Sequence, residues 1–148
     1  MIREGKKLPG DVLHKVPEIV RAVSVDEDIQ AMYFFGSASD GVLHPLTDLD
    51  FGVLLHTRLN KNQRFEKHLE LIGLFTQTFK TDEIDLLIMN DVPPRISRNI
   101  IKSGKRLFMR DKNALVDFSD TISKLYLDFK FYRDHFDNEF LKGIGYDG

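Results

Sequence analysis

Gly36 and Ser37 are followed, after ten residues, by Asp48-Leu49-Asp50. An apolar run over 31–35 leads into the Gly-Ser pair, and a second over 51–55 follows the aspartates. Both runs have the length and composition of buried strands. Alternation along a strand puts Asp48 and Asp50 on one face. Two carboxylates side by side at the edge of a core are unfavourable unless a positive charge sits between them. A divalent cation fits, and aspartate oxygens suit Mg²⁺, which shares its coordination between carboxylates and substrate phosphates. Gly36 has no Cβ, so the backbone there can turn sharply and approach a bulky anion. Ser37 adds a hydroxyl, and backbone N–H groups at the start of a helix there would favour phosphate. The pattern is that of a phosphoryl- or nucleotidyl-transfer site, where positioning and charge neutralisation do most of the catalysis.

A third carboxylate, Asp85, interrupts an otherwise apolar run over 84–89. It would orient the attacking hydroxyl or take its proton; the alternative is a strand-end carboxylate that bonds a loop. Asp82 and Glu83 precede the run and read as solvated. Lys102, Lys105, Arg106 and Arg110 form a basic cluster. Complementing a helix dipole is its first reading, and contact with a triphosphate or an acidic partner its second. The five histidines show no ligand spacing, and His44 and His56 read as loop or strand-end residues.

The elements that must position these groups follow from periodicity. The pattern predicts a helix over 11–23, with Asp11 as cap and Pro17 kinking or shortening it, then strands over 30–35 and 49–56. A helix over 60–79 is capped by Asn60, with an apolar stripe of Phe65, Leu69, Ile72, Phe75 and Phe79. A strand over 84–89 puts Asp85 on one face with Leu87 and Met89. Asp91-Val92-Pro93-Pro94 opens a helix to 103, which Gly104 is expected to end as a left-handed cap. A short strand over 106–109 precedes a helix over 112–141. Its stripe of Leu115, Phe118, Ile122, Leu125, Phe129, Tyr132, Phe136 and Phe140 reads mainly as core, and also as a face for a partner or a second copy. Residues 143–148 read as a frayed tail. This order predicts an α+β fold, a small mixed sheet with packed helices, in a single domain over 1–148.

The chain has 148 residues, 42% of them hydrophobic and 30% charged, so it can bury one sizeable core. Its net charge of −2 lacks the basic excess of a dedicated nucleic-acid binder. With no cysteine, it has no disulfide, zinc–thiolate site or cysteine nucleophile. Residues 1–10 are basic but lack the apolar run of a signal peptide, and no stretch reaches the ~20 apolar residues of a membrane span. The expected compartment is the cytoplasm, with no membrane partner.

Gly-Ser-x10-Asp-x-Asp resembles the signature of the DNA polymerase β-like nucleotidyltransferase superfamily, and the small size resembles its minimal nucleotidyltransferase (MNT) branch. Glu83-Ile84-Asp85-Leu86-Leu87-Ile88 looks like the family's later strand with its third acidic residue. Residues 100–108 look like the helix–Gly–strand that follows, so the likeness covers about 30–110. It implies a polymerase β-like fold, with Asp48, Asp50 and Asp85 as catalytic, metal-binding residues and Gly36 and Ser37 holding the phosphates of ATP. One or two Mg²⁺ ions would serve as cofactor. The likeness further implies an antitoxin paired with a HEPN-domain toxin encoded by a neighbouring gene, with AMP transferred to a hydroxyl of that partner, a tyrosine in some pairs. One position departs from the family. Members often carry a basic residue where Asp40 stands, and an acidic one repels a triphosphate.

The leading expectation is therefore a protein adenylyltransferase of antitoxin type. The alternatives are a catalytically silent module of the same fold that neutralises its partner by binding, or a small-molecule nucleotidyltransferase of the aminoglycoside-modifying kind. The last usually needs a second domain to hold its acceptor. The nucleotide base and the oligomeric state are left open.

Overall fold

The computed structural model describes residues 12–35 and 49–143. Gly36, Ser37, Asp40, His44 and Asp48 lie outside the described residues, as do Asp11, residues 144–148 and the side chain of Phe140.

Two apolar runs form the centre of the sheet. β1 (Ile29–Phe35) and β2 (Leu49–Leu55) pair antiparallel and are buried almost throughout. Strands covered on both faces read as continuous apolar runs rather than as alternation. β3 (Ile84–Ile88) pairs parallel to β2. A parallel pair needs a crossover, which α2 (Lys61–Phe79) supplies. β4 (Lys105–Met109) closes the other edge antiparallel to β1, giving a four-stranded mixed sheet of order β3-β2-β1-β4. On one face α1 (Val16–Ser24) and α2 cover Met32, Phe34, Phe51, Val53 and Ile88. On the other, α3 (Pro94–Ser103) and α4 (Lys112–Gly143) cover Ala31, Tyr33, Leu54 and Met89. The expected α+β class and strand succession are therefore present.

Phe51 anchors the first face. Its ring lies 5.0 Å from Phe34, 4.9 Å from Phe75 and 5.5 Å from Phe79, centroid to centroid. Such pairs add ~0.5–1.5 kcal/mol each beyond the burial of their area. α2 begins on a complete capping box: Asn60 Oδ1 accepts from the Gln63 N–H, and Gln63 Oε1 from the Asn60 N–H, both at 2.8 Å. The expected cap is thus present.

Local corrections have physical causes. The helix expected over 11–23 is a 3₁₀ turn, Val12–Lys15, followed by α1, whose first turn contains Pro17. Proline lacks the N–H that a helix interior needs and fits the first turn, so of the two expected effects it shortens the α-helix, which starts at Val16, and does not kink it. On α2 the expected core stripe is rotated. Phe75 and Phe79 are buried, but Phe65, Leu69 and Ile72 are 61%, 55% and 41% exposed. Leu71 is buried instead, and His68 bonds the Leu86 carbonyl at 2.7 Å from the sheet-facing side. Residues 65, 69 and 72 each sit one position, ~100° of helix, beyond 64, 68 and 71. Gly104 is not left-handed but extended, at φ −78° and ψ 164°. Among the described non-glycine residues only Lys80, which ends α2, has positive φ, at 55°. Gly104 is required by proximity: a Cβ there would lie 2.5 Å from the Ile100 carbonyl oxygen.

The core reading of the α4 stripe holds only for its first turns. Leu115 and Ile122 are buried, and Phe118 packs against the cluster that holds Leu115. Beyond them Leu125, Phe129, Tyr132 and Phe136 are exposed, because α4 runs past the edge of the body it packs on. Gly143, expected in the frayed tail, is the last residue of α4.

Candidate functional site

β3 runs parallel to β2 with Asp85 directly beside Asp50, and Phe35 of β1 stands on the other side of Asp50. Neighbouring strands lie ~4.8 Å apart, and residues opposite in a ladder point to the same face. Asp50 and Asp85 therefore project together, from the same end of the sheet. Asp85 is exposed and Asp50 half-buried. The end of β2 is pinned by a bond from the Leu49 N–H to the Glu83 carbonyl at 3.0 Å. Phe35 and Leu49, which flank residues 36–48, belong to this same end. Of the residues expected to act together, the structure thus joins Asp50 to Asp85. Asp48, Gly36 and Ser37 lie outside the described residues.

Alternation carries the same face inward from the carboxylates. Gly52 and Leu54 follow Asp50, and Leu87 and Met89 follow Asp85. A Cβ on Gly52 would meet Ile100 Cδ1 of α3 at 3.2 Å and Met89 Cγ at 3.4 Å. The absent side chain lets α3 lie close on the sheet behind the carboxylates. The turn out of α3 is equally tight, since the same added atom on Gly104 would also meet the Phe35 side chain at 3.4 Å. β4 follows immediately, with Arg106 paired to Tyr33 across the ladder.

That pair is a feature the sequence reading did not isolate. Tyr33 is buried on the α3/α4 face, and burial pushes its hydroxyl pKa up, while the charge and hydrogen bond of Arg106 pull the other way. Tyr33 sits within a run that otherwise reads as strand core, so nothing in the spacing marked it. The basic cluster, in contrast, comes apart. Lys102 lies in the last turn of α3, as a helix dipole favours. Arg110 lies at the opposite end of the sheet from Asp50. There it donates to the carbonyls of Ile29 (3.0 Å), Ser24 (2.7 Å) and Asp26 (3.0 Å), and so ties β4 to the α1–β1 turn. Arg110 is thereby committed to the fold. His56 ends up just past β2, its Nδ1 accepting from the Arg58 N–H at 3.0 Å, as a strand-end residue.

A cleft of about 540 Å³ lies away from the carboxylate pair, between the α1–β1 turn and α2. Its charges satisfy one another. Lys67 Nζ is 2.8 Å from Asp26 Oδ2 and 3.3 Å from Asp28 Oδ2, and Arg58 pairs with Asp28. We read this cleft as structural.

Among the described residues no three His, Cys, Asp or Glu side chains gather closely enough to hold a metal ion. Asp50 and Asp85 supply two hard oxygen donors on adjacent strands. This donor chemistry fits Mg²⁺ completed by a further carboxylate and substrate phosphates. No helix among the described residues is long and apolar enough to cross a membrane.

Comparison with known proteins agrees with this geometry. The family model described as polymerase beta, nucleotidyltransferase, matches residues 17–113. No curated protein sequence gives a significant match. Among solved structures, a chain of the toxin–antitoxin MntA–HepT superposes with a TM-score of 0.62 at 16% identity, covering 87% of this chain and 98% of that one. A chain of a toxin–antitoxin complex with AMP-PNP gives 0.60 at 21% identity, covering 86% and 97%. A chain of a tri-AMPylated HEPN toxin in complex with its MNT antitoxin, from Shewanella oneidensis, gives 0.61 at 18% identity, covering 88% and 98%. At such identities the likeness is one of fold.

Proposed function

The chain belongs to the polymerase β nucleotidyltransferase family, and from that membership we propose that it is a Mg²⁺-dependent adenylyltransferase acting as antitoxin on a HEPN-domain partner. The observation that carries the reading is the register of Asp50 beside Asp85 on parallel strands. The similar fold of chains from complexes that hold AMP-PNP, or an AMPylated HEPN toxin, supports the choice of nucleotide and partner.

In this mechanism Gly36 and Ser37 would hold the triphosphate, and Asp48 and Asp50 would hold the cation with Asp85 completing the site. Bound Mg²⁺ would neutralise charge on the phosphate oxygens. An acceptor hydroxyl, a tyrosine of the partner by family likeness, attacks the α-phosphorus of ATP. The new P–O bond forms as the bond to the α,β-bridging oxygen breaks. Pyrophosphate leaves with that electron pair, and the hydroxyl proton passes to the Asp85 carboxylate. Asp85 suits this role because its carboxylate is exposed, so an acceptor loop can reach it.

The test mixes the protein with its genomic neighbour, ATP and Mg²⁺, and reads intact masses. Gain of one or more AMP units on the neighbour supports transfer. A tight complex with no mass change would favour a silent binding module, a reading to which Asp40 lends weight through its repulsion of phosphate. Turnover on a small hydroxylated compound, with the neighbour neither bound nor modified, would defeat both.

A further inference from the structure

Past Ile122, which is 5% exposed, α4 leaves the body of the protein but keeps its apolar stripe. Leu125, Phe129, Tyr132 and Phe136 are 50%, 67%, 70% and 69% exposed. Their spacing of four, three and four sets them on one side of the helix. Large apolar side chains exposed in line mark an interaction surface. The start of α3 forms a second wall. Pro93, Pro94 and Arg95 face Tyr126, Phe129, Lys130 and Arg133 of α4 across a cleft of about 480 Å³. The Arg98 guanidinium holds the Tyr126 ring in this wall, 4.7 Å from its centroid. The charges along the cleft have one sign. Arg95, Lys130 and Arg133 line it and no carboxylate does, in a chain whose net charge is −2. Among the described residues Arg95 and Lys130 have no ion-pair partner, and Arg133 has its exposed neighbour Asp134 at 3.7 Å, a surface contact worth little.

We propose that this groove docks a short, acidic, amphipathic helix of the protein partner, its apolar stripe on Leu125, Phe129, Tyr132 and Phe136 and its carboxylates against Arg95, Lys130 and Arg133. A helix is the form that matches a stripe with alternating spacings of three and four. Carboxylates are the groups that the unpaired cations select, and at the rim of an interface such charges steer the encounter. Two-fold pairing of this patch with itself would instead set cation against cation. The body closes the groove at Ile122, so the docked segment is short. Residues 125–136 span about 17 Å, or roughly three helical turns, at 1.5 Å per residue. The identity of the partner, a HEPN-domain protein, rests on the antitoxin reading above. The groove is separate from the transfer site, because Asp85 lies at the start of β3 and α3 begins beyond the far end of that strand. Capture and chemistry would thus use different ends of the sheet.

Calorimetric binding of the full chain to the product of the neighbouring gene, without ATP, tests the docking site apart from transfer. Phe129→Glu, and Arg95→Gln combined with Lys130→Gln, should each weaken binding by more than about 10-fold. Phe65→Ser, on the exposed side of α2, should leave it unchanged. Parent affinity should fall between about 0.1 and 1 M salt, as the screening length shortens from ~10 to ~3 Å, and the Arg95→Gln/Lys130→Gln variant should lose much of that dependence. Hydrogen exchange should slow over residues 93–98 and 124–137 when the complex forms. The substituted side chains are exposed, and circular dichroism checks that each variant folds. A complex indifferent to both groove variants, insensitive to salt, or protected elsewhere overturns the docking site and leaves the antitoxin reading standing. Protection of the groove in the protein alone as its concentration rises would assign it to a second copy and overturn the proposal. No complex with the parent overturns both readings. A complex that needs the groove but gains no AMP once ATP and Mg²⁺ are added upholds the docking site and removes the transferase reading alone.

Discussion

Asp50 on β2 and Asp85 on β3 stand directly opposite each other in a parallel ladder, two acidic side chains from distant segments on one face of one sheet. Neither packing nor strand propensity asks for such a pair, since like charges across a ladder are destabilising. Asp85→Asn keeps the shape and removes one of the charges. Its melting temperature in cation-free buffer should equal or exceed that of the parent, while transfer is lost. A fall of several degrees would make Asp85 a structural group and remove it from the site.

Phe51 and Phe65 should respond oppositely to truncation. Phe51 is fully buried against three other rings, so Phe51→Ala should cost about 3–5 kcal/mol. Phe65 is 61% exposed on the outer side of α2, so Phe65→Ala should stay within ~0.5 kcal/mol. Urea titration of both variants measures the difference. Equal losses would contradict the orientation of α2.

Gly104 separates two reasons for keeping a glycine. A left-handed cap tolerates Asn better than Ala. Here the backbone is extended and an added Cβ would lie 2.5 Å from the Ile100 carbonyl oxygen. Gly104→Ala and Gly104→Asn should therefore both destabilise, by about 1–3 kcal/mol. Rescue by Asn in thermal melting would contradict the extended conformation.

The pairs around Lys67 set two pH limits on stability. The hydrogen bond from Arg58 holds the Asp28 carboxyl below its ordinary value, against the effect of its burial. Its contribution is present above the unfolded pKa of about 3.9 and is lost as pH falls through the lower folded value. Burial alone would lower the Lys67 pKa, but hydrogen bonds to Asp26 and Asp28 outweigh it and hold the ammonium above its ordinary value. Its contribution is present below about 10.4 and is lost as pH rises through the higher folded value. Urea midpoints should thus show a plateau between these limits. Asp28→Asn should reduce the acid loss, and Lys67→Met should lower the plateau by about 1–2 kcal/mol by leaving Asp26 and Asp28 side by side.

The strands were legible because β1 and β2 are covered on both faces and read as unbroken apolar runs. Asp85 was legible for the converse reason, as a lone charge in such a run. The Asn60 cap followed from local chemistry that tertiary packing does not change. The rotation of α2 did not, because Leu71 and Leu74 extend the apolar arc past one face and only contact with the sheet selects which part is buried. The end of the α4 core at Ile122 was hidden for a related reason. Seam spacing continues unchanged to Phe136, while the body beneath it stops. Arg110 could not be separated from Lys102, Lys105 and Arg106 by sequence position, since it is the antiparallel course of β4 that carries it to the far end of the sheet.

In the proposed reaction this carboxylate pair directs attack on the α-phosphorus of ATP. ATP labelled at the α-phosphate and, separately, at the γ-phosphate distinguishes that step when each is incubated with the protein, the proposed HEPN partner and Mg²⁺. Label should reach the partner from the α position alone, reduced at least ~100-fold in Asp85→Asn, as for loss of a general base, with its melting temperature preserved. Label from the γ position, or undiminished α-label transfer by Asp85→Asn, would contradict it.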